Sequence, residues 1–210
     1  MRRAFAFIAG SVLLVTSDAA LSAQDRLPPI PQEHLTPAQQ RSLEEFAKIR
    51  GTAPFGPFIP LMRSPEVMVR VSALGDQLRY KSSLPPRLSE FIILLVARQW
   101  TQQYEWFTHE SVALKAGLRQ AIVTAVADGR RPEGMADDED IIYSLCDELT
   151  RHRTVADATY ARAVAKFGEQ GVIDATSIAG YYTLLAMVMN TARTALPEGI
   201  KPPLAPLPRP

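Results

Sequence analysis

Three features of this sequence predict an all-α fold. No segment alternates apolar and polar residues with the period of two that a half-buried strand requires. Helix-start signals recur along the chain, at Thr36-Pro37-Ala38-Gln39, Ser64-Pro65-Glu66 and Ser83-Leu84-Pro85-Pro86. The stretches that follow these signals carry apolar residues at helical spacing.

The first helix runs from Pro37 to about Arg50. Thr36 and Gln39 form a capping box, Pro37 suits the first helical position, and Leu43, Phe46 and Ala47 are the residues to bury. GTAPFGPFIPLM, residues 51–62, is a proline-containing loop. Ser64-Pro65-Glu66 opens a second helix to about Tyr80, with Val67, Val71, Leu74 and Leu78 on one face. The third begins at Pro85-Pro86, and its SEFIILLVARQW, residues 89–100, is apolar almost all round, as a buried central helix should be. A short strand is the competing reading of FIILLV, but no turn signal ends that run. Thr101 is a candidate N-cap for a new helix starting at Gln102, which carries YEWFTHESVALKA and stops at Gly117. RQAIVTAVADG forms a short helix ending at Gly129. After the polar loop RRPEGMADDED, Asp137 or Asp138 caps a helix to about His152. Residues 157–169 make a further helix stopping near Gly168 and Gly171, and ATSIAGYYTLLAMVMNTART makes the last.

The folded region is thus one domain over residues 36–195. The flanking stretches QDRLPPIPQEH, within a linker of residues 24–35, and LPEGIKPPLAPLPRP, residues 196–210, are too rich in proline for helix or central strand and read as extended arms. Residues 1–23 have the layout of a secretory signal peptide: Arg2 and Arg3, an apolar run over residues 4–15, then small residues to Ala23. Cleavage near Ala23 would give an exported, periplasmic or secreted protein with no membrane attachment. Leu21 is large for its place before the cut, so an uncleaved tether is the alternative.

Composition narrows the function. Hydrophobic residues make up 47% of the chain, enough for a core. The net charge is +1 with no basic stripe, which argues against a nucleic-acid partner. A single cysteine, Cys146, allows no intrachain disulfide, no CxxC pair and no cysteine zinc cluster. It reads as a buried structural thiol.

The chemistry-bearing residues gather around YEWFTHES, residues 104–111. Glu105 and His109 are four apart, one turn along one helix face, where a carboxylate can orient an imidazole and share in proton transfer. The same spacing is common on solvated faces, but Trp100, Tyr104, Trp106 and Phe107 crowd this one. Glu90 sits inside the apolar run, where an acid must be paired or protonated. Arg87 or Arg98 is its structural partner; a tuned acid or base is the functional reading. On one straight helix Glu90 and Glu105 would lie about 22 Å apart. Only a break near residues 99–101 brings Glu90 to Glu105 and His109.

SEFIILLVARQWTQQYEWFTHESVALKAGL resembles the signature of carboxymuconolactone decarboxylases, which share their fold with the AhpD alkylhydroperoxidases. The matching residues are Glu90, the cluster Tyr104-Glu105-Trp106, His109 and the closing Ala113-Leu114-Lys115-Ala116-Gly117-Leu118; a weaker likeness extends over about 130 residues, mostly as hydrophobic pattern. The resemblance implies an AhpD-like helical bundle that assembles as a homotrimer or homohexamer, with sites near subunit contacts. The peroxidase branch uses a glutamate, two cysteines and a histidine at positions that here read Glu90, Gln102, Glu105 and His109. Both cysteines are absent, and an amide or carboxylate cannot replace a thiolate. The decarboxylase branch needs neither thiol nor metal, and the sequence shows no cofactor motif. In that reading His109 carries the proton, Glu105 orients it and Glu90 is a second acid–base group. Arg98 holds a substrate carboxylate or pairs with Glu90, and Tyr104 and Trp106 shape the pocket. Carboxymuconolactone is a cytoplasmic intermediate, so an exported relative points to a different small carboxylated substrate. A non-catalytic exported oligomer that binds through the same scaffold is the alternative.

Overall fold

A computed structural model describes residues 25–207, and the expected signal peptide lies outside them. The described residues are helical, with no strand. The elements are α1 (Pro37–Arg50), α2 (Phe58–Leu61), α3 (Pro65–Tyr80), α4 (Pro86–Gln99), α5 (Gln103–Lys115), α6 (Gln120–Ala127), α7 (Asp137–His152) and α8 (Asp157–Ala192). The fold is an all-α bundle built around α4.

Helix α4 packs against α5, α6, α7 and α8. Phe91, Ile92, Ile93 and Leu94 are all buried, so neighbours cover successive faces of the helix. Each such side chain contributes about 1.5–3 kcal/mol, which explains why the run tolerates almost no polar interruption. At α1 the local signals work as expected. The Thr36 hydroxyl accepts from the Gln39 backbone N–H at 3.3 Å, and the Gln39 side-chain Oε1 accepts from the Thr36 N–H at 2.9 Å. Gly51 ends α1 in the left-handed region, with φ of 67°.

Five expectations change. The stretch over residues 51–62, expected as a loop, holds the short helix α2. In α1, Phe46 is buried and Leu43 is partly buried, but Ala47 is exposed. In α3, Val67 and Leu74 are exposed at 44% and 47%, and the buried face is Met68, Val71, Ser72, Gly75 and Leu78. The helix turns its glycine inward because Tyr181 packs there: a Cβ at Gly75 would overlap the Tyr181 hydroxyl. Helix α7 is entered through Ala136, whose N–H is accepted by the Glu139 carboxylate at 2.8 Å, rather than capped by Asp137 or Asp138. Finally, the two expected C-terminal helices form one element broken at Gly168, with φ of 69° and ψ of 171°. Gly171 does not break it.

Both proline-rich arms lie on the body of their own chain. The Arg26 N–H donates to the Ala192 carbonyl at 2.7 Å, and Arg63 donates to the Leu27 carbonyl at 3.2 Å. At the other end Gln103 clasps Leu204 in both directions, at 2.8 and 2.9 Å, and Leu204 is buried.

Candidate active site

The site depends on how α4 stops. Trp100 closes the helix, Thr101 takes a left-handed φ of 46°, and α5 starts at Gln103. Left-handed geometry at a β-branched residue is an outlier that the surroundings must enforce. Gln102 enforces it. As the N-cap its side-chain oxygen accepts from Tyr104 N–H at 2.7 Å and Glu105 N–H at 3.3 Å, while its amide donates to Asn190 Oδ1 at 2.9 Å. Asn190 returns a hydrogen bond to the Trp100 carbonyl at 3.0 Å. The cap is therefore Gln102 and not Thr101, because an amide offers an acceptor to α5 and a donor to α8 at once.

The fold-back lays α5 along α4 and buries Glu105, Trp106, His109 and Ala113. His109 Nδ1 then lies 2.6 Å from Glu90 Oε2. The carboxylate accepts, so this contact places a proton on Nδ1 and fixes the ring. The other Glu90 oxygen faces Arg79, from α3, at 3.6 Å. The His109 ring meets the Tyr182 ring edge-on, with centroids 5.2 Å apart and planes at 87°, and Tyr182 meets Tyr181 in the same way. Beside this cluster is a cavity of about 250 Å³ lined by Arg79, Ser89, Glu90, Ile93, Ile178 and Tyr182, among others. Glu90, Arg79 and Tyr182 therefore reach the cavity, with His109 joined to it through Glu90.

Glu105 occupies a different setting. It is only 2% exposed, its Oε2 has no hydrogen-bond partner, and no hydrogen bond joins it to His109 among the described residues. Burial pushes its carboxyl well above the usual carboxylate range. Glu90, and not Glu105, orients His109. One helical turn separates Glu105 from His109 in sequence, but the imidazole points across to α4 rather than back along α5. Burial likewise raises the Tyr182 phenol well above its ordinary value and pushes Tyr181 up to about 12, so both remain hydroxyl donors.

The remaining expected residues fall outside the cavity. Among the described residues Arg98 pairs with no carboxylate; it donates to the Ala205 carbonyl at 2.8 Å and lines a separate cleft. Arg87 is committed to Asp138, at 2.7 Å, and to Glu139. Trp106 is core, fully buried, and half-buried Tyr104 packs against Gly56. The residues missed from sequence are Arg79 and Tyr182. Neither carries a signal of its own in the sequence: Arg79 is a charged residue near a helix end, and Tyr182 is one aromatic in an apolar run. Cys146 is buried with its thiol pushed up to about 12, opposite in direction to an activated thiolate. Among the described residues no three His, Cys, Asp or Glu side chains gather as a metal-ligand set.

No family model and no curated protein matches this chain. Among solved structures it is similar to an alkylhydroperoxidase AhpD core, an uncharacterized peroxidase-related protein from Ralstonia eutropha JMP134. The TM-score is 0.65 at 15% sequence identity, over 82% of this chain and 92% of that one. The likeness establishes an AhpD-like helical fold.

Proposed function

We propose that the protein is a cofactor-independent lyase of the carboxymuconolactone decarboxylase type, acting on a small carboxylated lactone or related organic acid. The observation that carries this reading is the Glu90 carboxylate held between His109, at 2.6 Å, and Arg79, at 3.6 Å, on the wall of a cavity. In such a reaction the bond between carbon and carboxylate breaks and CO2 leaves. The electron pair passes into the conjugated carbonyl system, and a proton must then reach carbon. The Glu90–His109 pair is the proton source, with Glu90 as the group that touches substrate. The Arg79 guanidinium offsets the negative charge that develops, and the Tyr182 hydroxyl, kept protonated by burial, donates to the enolate oxygen.

Two further expectations belong to this proposal. The first is export, with cleavage near Ala23. The second is self-association as a trimer or hexamer, favoured by the uncharged stretch over residues 175–192 that leaves Leu184 and Met187 exposed.

The test is an ultraviolet assay of the purified chain on γ-carboxymuconolactone and on related carboxylated lactones. Wild-type turnover is expected, with Glu90→Gln and His109→Ala slower by about 10²–10⁴ at unchanged folding. Saturable binding of these acids with no turnover would replace the lyase with the binding-protein reading.

A further inference from the structure

A second cleft lies on another side of α4. Its volume is about 620 Å³, in the range of small-molecule sites. Leu95, Val96, Trp100, Val126, Cys146 and Leu207 give it an apolar body. Arg98, Arg130, Arg151 and Arg153 also line it, with Asp147 as the one acid. Arg130 is matched by Asp128 at 2.8 Å and Arg151 by Asp147 at 2.6 Å, while Arg98 and Arg153 have no carboxylate within 4.0 Å among the described residues.

Two residues that line this cleft carry buried donors without acceptors among the described residues, Arg98 Nε and Trp100 Nε1. Arg98 is only 5% exposed. A guanidinium or indole N–H buried without an acceptor is costly, and an acceptor bound in the cleft offsets that cost once the side chain turns toward it. Both groups donate and neither accepts, so the complementary group is an anionic oxygen acceptor. The apolar body excludes a small hydrated anion as the best fit. The C-terminal arm forms part of the wall: Arg98 holds the Ala205 carbonyl, and Leu207 seats against Gly129, where a Cβ would come within 2.7 Å of the leucine.

We propose that this cleft binds an organic carboxylate with an apolar body, its carboxylate received by Arg98 and the Trp100 indole N–H. The site shares no lining residue with the cavity at Glu90. It therefore stands whether or not the lyase reading does.

Decanoate and its uncharged counterpart decanol are the probes, titrated into the full chain by calorimetry and by tryptophan fluorescence, with assembly size followed in parallel. Decanoate is expected to bind saturably and more tightly than decanol, and to change the Trp100 emission. Arg98→Gln should weaken decanoate by at least about tenfold while leaving decanol within about twofold. Arg98→Lys, which keeps the cation, should retain more affinity than Arg98→Gln. Trp100→Phe should abolish the optical change and leave weaker calorimetric binding. Equal affinity for the two probes, indifference of decanoate to Arg98→Gln, absence of saturable binding, or exclusion of decanoate by self-assembly would each overturn the proposal.

Discussion

The two hollows beside α4 resolve the same problem in opposite ways. Each places a charged α4 residue, Glu90 or Arg98, in largely buried surroundings. The two are eight residues apart, about 12 Å along the axis and about 80° around it. At Glu90 the charge is closed upon itself: one carboxylate oxygen meets His109 and the other faces Arg79. At Arg98 one guanidinium nitrogen reaches a backbone carbonyl, and Nε has no partner among the described residues. A paired charge is poised for proton chemistry because its geometry is fixed, whereas an incompletely paired one is poised for a ligand.

The contrast predicts unequal stability effects. Glu90→Ala strands Arg79 and the His109 ring, and should cost about 3–5 kcal/mol. Arg98→Met removes one hydrogen bond to a carbonyl and should cost about 1 kcal/mol or less. Urea denaturation of both variants breaks the comparison if the two losses are alike.

The turn that separates the two regions comes next in size. Gln102→Ala removes the cap of α5 and its tether to Asn190, and should cost about 1–2 kcal/mol. If the turn positions His109, the variant should also loosen the Glu90 contact. A change in the His109 imidazole NMR resonances, absent in Arg98→Met, would show this.

Glu105 gives the smallest effect, and it has the opposite sign. Its folded carboxyl titrates well above the unfolded one. Between those two values the folded state binds more protons, so stability falls as pH rises through that window. Glu105→Gln removes the ionisation and should raise Tm by about 2–4 °C, for about 1 kcal/mol, above the window. Little gain is expected at pH values where both states hold the proton. A gain that does not depend on pH would show that the carboxyl's burial is not what costs stability there.

Much of the helical framework was legible in the sequence because it rests on local chemistry. The Thr36–Gln39 box and the apolar run of α4 act within a few residues. The break before Tyr104 was legible too, since only a fold-back could bring Glu90 to His109. Its cap was not, because Gln102 is chosen by Asn190, a residue 88 positions away. The inward face of α3 was misread for a related reason: Val67 and Leu74 fit the period, but Tyr181 selects the Gly75 side.

By itself the sequence determined the fold class, and it offered Glu90, Glu105 and His109 as the candidates for proton chemistry. Helix formation, capping and the burial of an apolar run are short-range effects written in neighbouring residues. Only the tertiary structure decided that Glu90 orients His109, that Arg79 and Tyr182 join them, and that Arg98 faces a different hollow. Those outcomes depend on side-chain direction and on which helix packs opposite. Both are set by long-range burial and by the pairing of charges that no single helix can satisfy alone.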